Sequence, residues 1–122
     1  MTNIVRVDGF PQFAPSESRA AADRLISGDP AFKTWELDRS DASRPWTNIR
    51  TGIWEATEGE TRSIKGGTFE FCHILSGKAE IIEDGGEAHV FGAGDSFVMK
   101  PDFKGVWKTL ETVRKIFVIA AS

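Results

Sequence analysis

The sequence is short of the side chains that most often bind metals or form cross-links. Its 122 residues include one cysteine and two histidines. One cysteine cannot close an internal disulfide, and one thiol with two imidazoles is a thin supply for any zinc cage. No apolar run approaches the roughly 20 residues that a membrane span needs. The opening Met1 to Phe10 carries Arg6 and Asp8 and has no apolar block ahead of a small-residue cleavage site. The expectation is a cytoplasmic protein with neither a secretory signal nor a membrane partner. A basic stripe is missing as well. Residues 1–50 hold seven acids and seven bases, residues 51–90 eight against three, and residues 91–122 three against five. Phosphate neutralisation needs clustered Lys and Arg, so no nucleic acid is expected as a partner.

What is present suits one globular domain, with 40% hydrophobic and 27% charged residues and a net charge of -3. The first 45 residues differ in texture from the rest. Ser16 to Ile26 combines an N-cap candidate with helix formers, and Gly28 and Pro30 follow, which predicts one short helix. Pro11, Pro15, Pro30 and Pro45 make residues 1–45 an irregular arm packed on the remainder. From Trp46 to the end the pattern is β. Segments 46–57, 68–76, 78–83, 87–91, 96–99, 105–110 and 113–120 are rich in Ile, Val, Phe, Trp and Thr and are divided by glycine-bearing turns. Asp84-Gly85 marks a hairpin bend. Seven such strands predict a sandwich or barrel, and there is no internal repeat.

Two segments narrow this. Glu70-Phe71-Cys72-His73-Ile74-Leu75-Ser76-Gly77 has a glutamate, six residues and a glycine, and Gly94-Asp95 leads through Lys100-Pro101-Asp102 to Gly105-Val106-Trp107. Together they resemble the two motifs of the cupin superfamily. With Gly52-Ile53-Trp54-Glu55 and Glu111-Thr112-Val113-Arg114-Lys115, they are similar to its small single-domain DUF861 group, related to the cupin halves of (S)-ureidoglycine aminohydrolase and to EutQ. The resemblance covers residues 45 to 120 and implies an all-β double-stranded β-helix, a jelly-roll barrel with a pocket at one mouth. It also implies a homodimer.

Most cupins hold a divalent metal with histidines that would fall at positions 64, 66 and 105 and with a glutamate at 70. This chain has Ile64, Gly66, Gly105 and Glu70. One carboxylate does not make a transition-metal site, so no metal or other cofactor is expected. Strand alternation sends His73 to the face opposite Glu70, and His89 reads as a solvated strand residue. Cys72 shares the face of Glu70. One reading makes Glu70 a general base whose pKa burial raises, next to a pocket thiol; the other makes Cys72 a small buried hydrophobe and Glu70 an ion-pair partner. Trp107 either lines the pocket or fills the core, with its indole N–H within reach of Glu70, and Trp54 reads as core. Of Arg114 and Lys115 one must face inward, and strand phase favours Lys115, as partner of Glu70 or of an anionic ligand.

The candidate pocket is therefore Glu70, Cys72, Trp107, Trp54 and Lys115. The expected function is binding of a small polar organic molecule in the barrel mouth without the usual metal, with catalysis left open. Two alternatives stand beside it: a metal-dependent hydrolase resembling (S)-ureidoglycine aminohydrolase, and a non-catalytic interaction module whose barrel is filled.

Overall fold

A computed structural model describes residues 3–40 and 48–121, and every regular element among them is a strand. In chain order these are β1 (Ser16–Arg19), β2 (Leu25–Gly28), β3 (Ala31–Arg39), β4 (Ile49–Ala56), β5 (Gly59–Ile64), β6 (Phe69–Glu83), β7 (Ala88–Gly92), β8 (Ser96–Met99) and β9 (Lys104–Ala120). They form one antiparallel, curled sheet of the jelly-roll kind. Its path runs β1-β3-β4-β9-β5-β2, with β6 pairing β9 along its length and carrying β7 and β8 on its other side.

The two longest strands, β6 and β9, are the spine that both halves of the barrel share. The first half pairs Phe69 to Ile74 of β6 with the end of β9 and with β8, and β4 pairs the other side of β9. The second half pairs Ala79 to Glu83 with the start of β9 and with β7, and β5 lies across β9. The sequence pattern predicts two strands here, divided at Gly77; the structure has one strand that bulges there. Gly77 has φ +82°, and a Cβ on it would lie 2.0 Å from the Thr112 carbonyl oxygen, so only glycine fits. Buried positions are even-numbered before the bulge (Glu70, Cys72, Ile74) and odd-numbered after it (Ala79, Ile81). A one-residue slip exchanges the faces of a strand, so the bulge keeps apolar side chains inward in both halves.

Turns hold these strands in register. Gly85, at φ +76°, closes the β6–β7 hairpin at the expected Asp-Gly. Between β7 and β8 the Asp95 carboxylate accepts the Gly92 N–H at 2.8 Å, and Gly94 N–H donates to the Ile74 carbonyl at 2.8 Å. The Gly-Asp turn thus clips both strands to the middle of β6. Behind it lies a core that includes Ala56, Ile74, Ile81, Met99, Trp107 and Val113.

The short helix expected over residues 16–26 is absent. Ser16–Arg19 pairs β3 and Leu25–Gly28 pairs β5, so long-range pairing overrides the local helix preference of Glu, Arg and Ala. The N-terminal third also supplies β3, whose Trp35 is buried. Residues 9–13 do lie on the outer face: the Trp35 indole donates to the Phe13 carbonyl at 2.8 Å and Arg114 to that of Gly9 at 2.9 Å. Pro45 and Trp46, where arm and barrel were expected to meet, lie outside the described residues. No helix among the described residues is long and apolar enough to cross a membrane.

Candidate functional site

Cross-strand register decides which side chains meet on the inner face. Thr34, Trp54, Lys115 and Ile74 stand in one row across β3, β4, β9 and β6. Arg50, Ile119 and Glu70 stand in another. β5 brings Thr61 opposite Trp107, and the β1–β2 connection closes over the top with Arg19 and Arg24. Between them lies a cavity of about 420 Å³, open at the barrel mouth. Glu70, Trp54, Trp107 and Lys115 line it, as does Lys65 from the β5–β6 turn.

At its floor Glu70 is almost wholly buried and bound by two ammonium groups. Lys65 Nζ lies 2.5 Å from Oε1 and Lys115 Nζ 2.6 Å from Oε2. Cys72 Sγ donates to Oε2 at 3.3 Å and lies 3.5 Å from Lys115 Nζ. The Lys115 ammonium also faces the rings of Trp54 and Trp107, 4.5 and 4.4 Å from their centroids. Trp107 meets Trp54 edge to face, and Phe32 stacks on Trp54. Among the described residues no buried side-chain nitrogen or oxygen lacks a partner, so the charged floor is fully satisfied.

Electrostatics assign each group one protonation state. Burial pushes the Glu70 carboxyl upward, yet Lys115 and Lys65 outweigh it and hold the pKa at about 2. Of the two readings of Glu70, the base raised by burial does not match this geometry: two ammonium groups reverse the effect, and Glu70 stays an anion. Burial, with the Glu70 charge behind it, lifts the Cys72 thiol to about 12 against the opposing pull of Lys115. Burial also works against the Lys115 ammonium, but its acidic partners Cys72 and Glu70 raise its pKa above the ordinary lysine value. The floor is a carboxylate between two ammoniums, with a neutral thiol beneath.

Of the two cations between which the sequence did not decide, Lys115 faces inward and Arg114 faces out, paired with Glu55 at 3.1 Å. Cys72 is fully buried behind the floor and does not line the cavity. The Trp107 indole donates to Thr109 at 3.0 Å, not to Glu70. Trp54 lines the cavity as well as packing against the core. His73 lies on the other face of β6, with its Nδ1 2.7 Å from Ser96 Oγ, and His89 is exposed beside Phe91. Sequence reasoning missed Lys65, although it sits between the two positions, 64 and 66, examined for histidines. It also missed Arg19 and Arg24, at the end of β1 and in the turn before β2, where a helix was expected.

The residues present do not fit a divalent cation. Ile64 is exposed and Gly66 has no side chain to offer. A Cβ at Gly105 would sit 2.2 Å from the Ile82 carbonyl oxygen, so this backbone leaves no room for a side chain there. Glu70, the one remaining ligand type, already carries two ammoniums. Among the described residues no three His, Cys, Asp or Glu side chains are placed to share an ion.

A curled jelly roll with its cavity at one mouth, floored by the glutamate of the first motif, defines a cupin barrel. The chain belongs to the EutQ-like cupin domain family, whose model matches residues 44–117. Solved structures agree at the level of fold. A Pseudomonas syringae pv. tomato protein of unknown function in the DUF861 family superposes with TM-score 0.80 at 21% identity, covering 93% of this chain and 46% of its own. This chain therefore spans about half the length of that relative. Clostridium difficile EutQ superposes with TM-score 0.64 at 20% identity, over 86% of this chain and 74% of its own. A DUF861 family protein of Thermotoga maritima is 32% identical over 62% of this chain and 80% of its own, with TM-score 0.50. Among curated proteins the comparison finds no significant match.

Proposed function

We propose that this cupin binds a small polar organic molecule in the barrel mouth and that Lys115, rather than a metal ion, supplies the positive charge at the pocket floor. The observation that carries this reading is the Lys115–Glu70–Lys65 group at the base of an open cavity of about 420 Å³. A volume of that size suits a small organic guest, and the mixture of tryptophan walls and polar groups is typical of such pockets. The ammoniums have N–H donors beyond those given to Glu70, so a guest carrying acceptor atoms meets preformed partners. Membership of the family leaves the chemistry open, because one fold hosts many functions.

Two measurements test this together. In an unbiased thermal-shift screen a true ligand raises the melting temperature in step with the logarithm of its concentration above Kd. Elemental analysis of protein purified without a metal-chelating tag is expected to find no stoichiometric transition metal. Manganese, nickel, zinc or iron near one per chain sinks the metal-free reading. A cavity that takes up no compound from a broad screen sinks the binding reading.

A further inference from the structure

The charges around the cavity are lopsided in a way that names the ligand class. Six of the chain's 15 basic residues line it, namely Arg19, Arg24, Arg50, Arg62, Lys65 and Lys115, against a single acid, Glu70. This concentration occurs in a chain whose net charge is -3. Three of the six pair with acids outside the cavity. Arg62 makes a two-pronged pair with Asp84, Arg19 pairs with Asp29 at 3.1 Å, and Arg50 pairs at 3.1 Å with Glu36, a carboxylate it shares with Arg39. Lys65 and Lys115 share one carboxylate, which leaves that group with one net positive charge. Arg24 has no carboxylate partner among the described residues, although its backbone is pinned. Its N–H donates to the Ala21 carbonyl at 2.9 Å, and its own carbonyl accepts the Arg62 N–H at 2.6 Å. Uncompensated positive charge is thus left on the floor, on the Arg39–Glu36–Arg50 group and on the rim at Arg24.

We infer that the ligand is a small organic anion, with a carboxylate or phosphate group on a body that packs against Phe32 and Trp54, and that Arg24 is the rim residue that receives the anion. This rests on the pocket reading above and adds the sign of the guest. A planar guanidinium fork matches an oxyanion in two hydrogen bonds, which an ammonium cannot do. A half-buried arginine left without a carboxylate partner beside a cationic floor draws anions in and disfavours cations. A neutral guest can accept a hydrogen bond from these groups but brings no charge to pair with theirs.

The test is a matched series of near-identical shape: benzoate, benzamide, benzylamine and phenyl phosphate, titrated calorimetrically into the full chain at millimolar concentration. Benzoate or phenyl phosphate is expected to bind at least about tenfold more tightly than benzamide, the size of one charge-assisted pair. Affinity should fall as salt is added. Whichever of the two anions binds more tightly names the oxyanion. Arg24→Gln is expected to erase the preference for the anion, and Arg24→Lys to restore part of it, with unliganded melting temperatures at that of the parent. Equal affinity for benzamide and benzoate, or a preference that survives Arg24→Gln, overturns the inference and leaves the pocket reading intact. Silence from the whole series and from the broad screen overturns both.

Discussion

Lys115 and Arg114 are neighbours on β9 and enter opposite worlds. Each pairs with a glutamate and each faces two aromatic rings: Trp54 and Trp107 for the lysine, Phe10 and Trp35 for the arginine. The lysine side chain is 6% exposed and the arginine 15%. Inside, the carboxylate is shared with a second ammonium at the cavity floor. Outside, the guanidinium divides its donors between Glu55 and the Gly9 carbonyl, so it brackets the N-terminal segment against the sheet. One charge is an element of the pocket, the other a fastener. The same local chemistry takes different roles because strand alternation sends adjacent residues to faces with different contents.

The sharpest way to break this contrast is to remove the inner charge. Lys115→Met is expected to cost about 3–5 kcal/mol in denaturant unfolding, because it leaves a buried carboxylate with half its compensation. Glu70→Gln belongs in the same range, and the double variant should cost less than the two losses added, since each single variant strands the other's partner. Strict additivity would show that the two groups do not interact. Acid comes next. Glu70 has a folded pKa of about 2 against an ordinary 4.5, so its contribution is complete above the ordinary value and fades as pH falls toward the folded one. That gap corresponds to about 3 kcal/mol, lost between roughly pH 5 and 2. The slope should flatten in Glu70→Gln, and an unchanged slope would assign acid loss to other carboxylates.

The outer charge predicts a smaller effect. Arg114→Ala should cost about 1–2 kcal/mol, partly through lost packing on Trp35 and Phe10, and should speed proteolysis near residues 9–13 without altering ligand binding. A change in ligand affinity would show that the two faces are coupled. The least perturbing test leaves the protein unaltered. With its thiol buried and lifted to about 12, Cys72 should resist a thiol reagent at mildly alkaline pH until the chain unfolds. Rapid labelling of native protein would show that Cys72 is open to the cavity.

The spine of the fold was legible because its signals are local. Asp84-Gly85, Gly94-Asp95 and the alternation from Glu70 to Ile74 each reflect a backbone need or a buried face, and each stands where the sequence puts it. The rim was not legible. β1 and β2 are exposed edge strands of four residues each, Ser-Glu-Ser-Arg and Leu-Ile-Ser-Gly, with no inward face to give them period, so helix propensity misread them. β5 is polar for most of its length and exists because β9 and β2 flank it. Lys65 lies in a turn whose position depends on the Phe103 and Asp102 backbone, nearly forty residues on in the chain, with bonds of 2.9 and 2.7 Å. Glu70's state depended on counting cations, and one of its two partners was invisible.

Gly105 sets what it would take to build a metal ligand into this barrel. With the Ile82 carbonyl oxygen 2.2 Å from where a Cβ would stand, β6 and β9 leave no space for a histidine side chain to start. Writing histidine back at 105 would push the spine of the barrel apart before it supplied a ligand, and Glu70 would still be occupied. Introducing a metal ligand at 105 is therefore not a one-residue change: the strand pair and the Glu70 ion pairs would have to give way together.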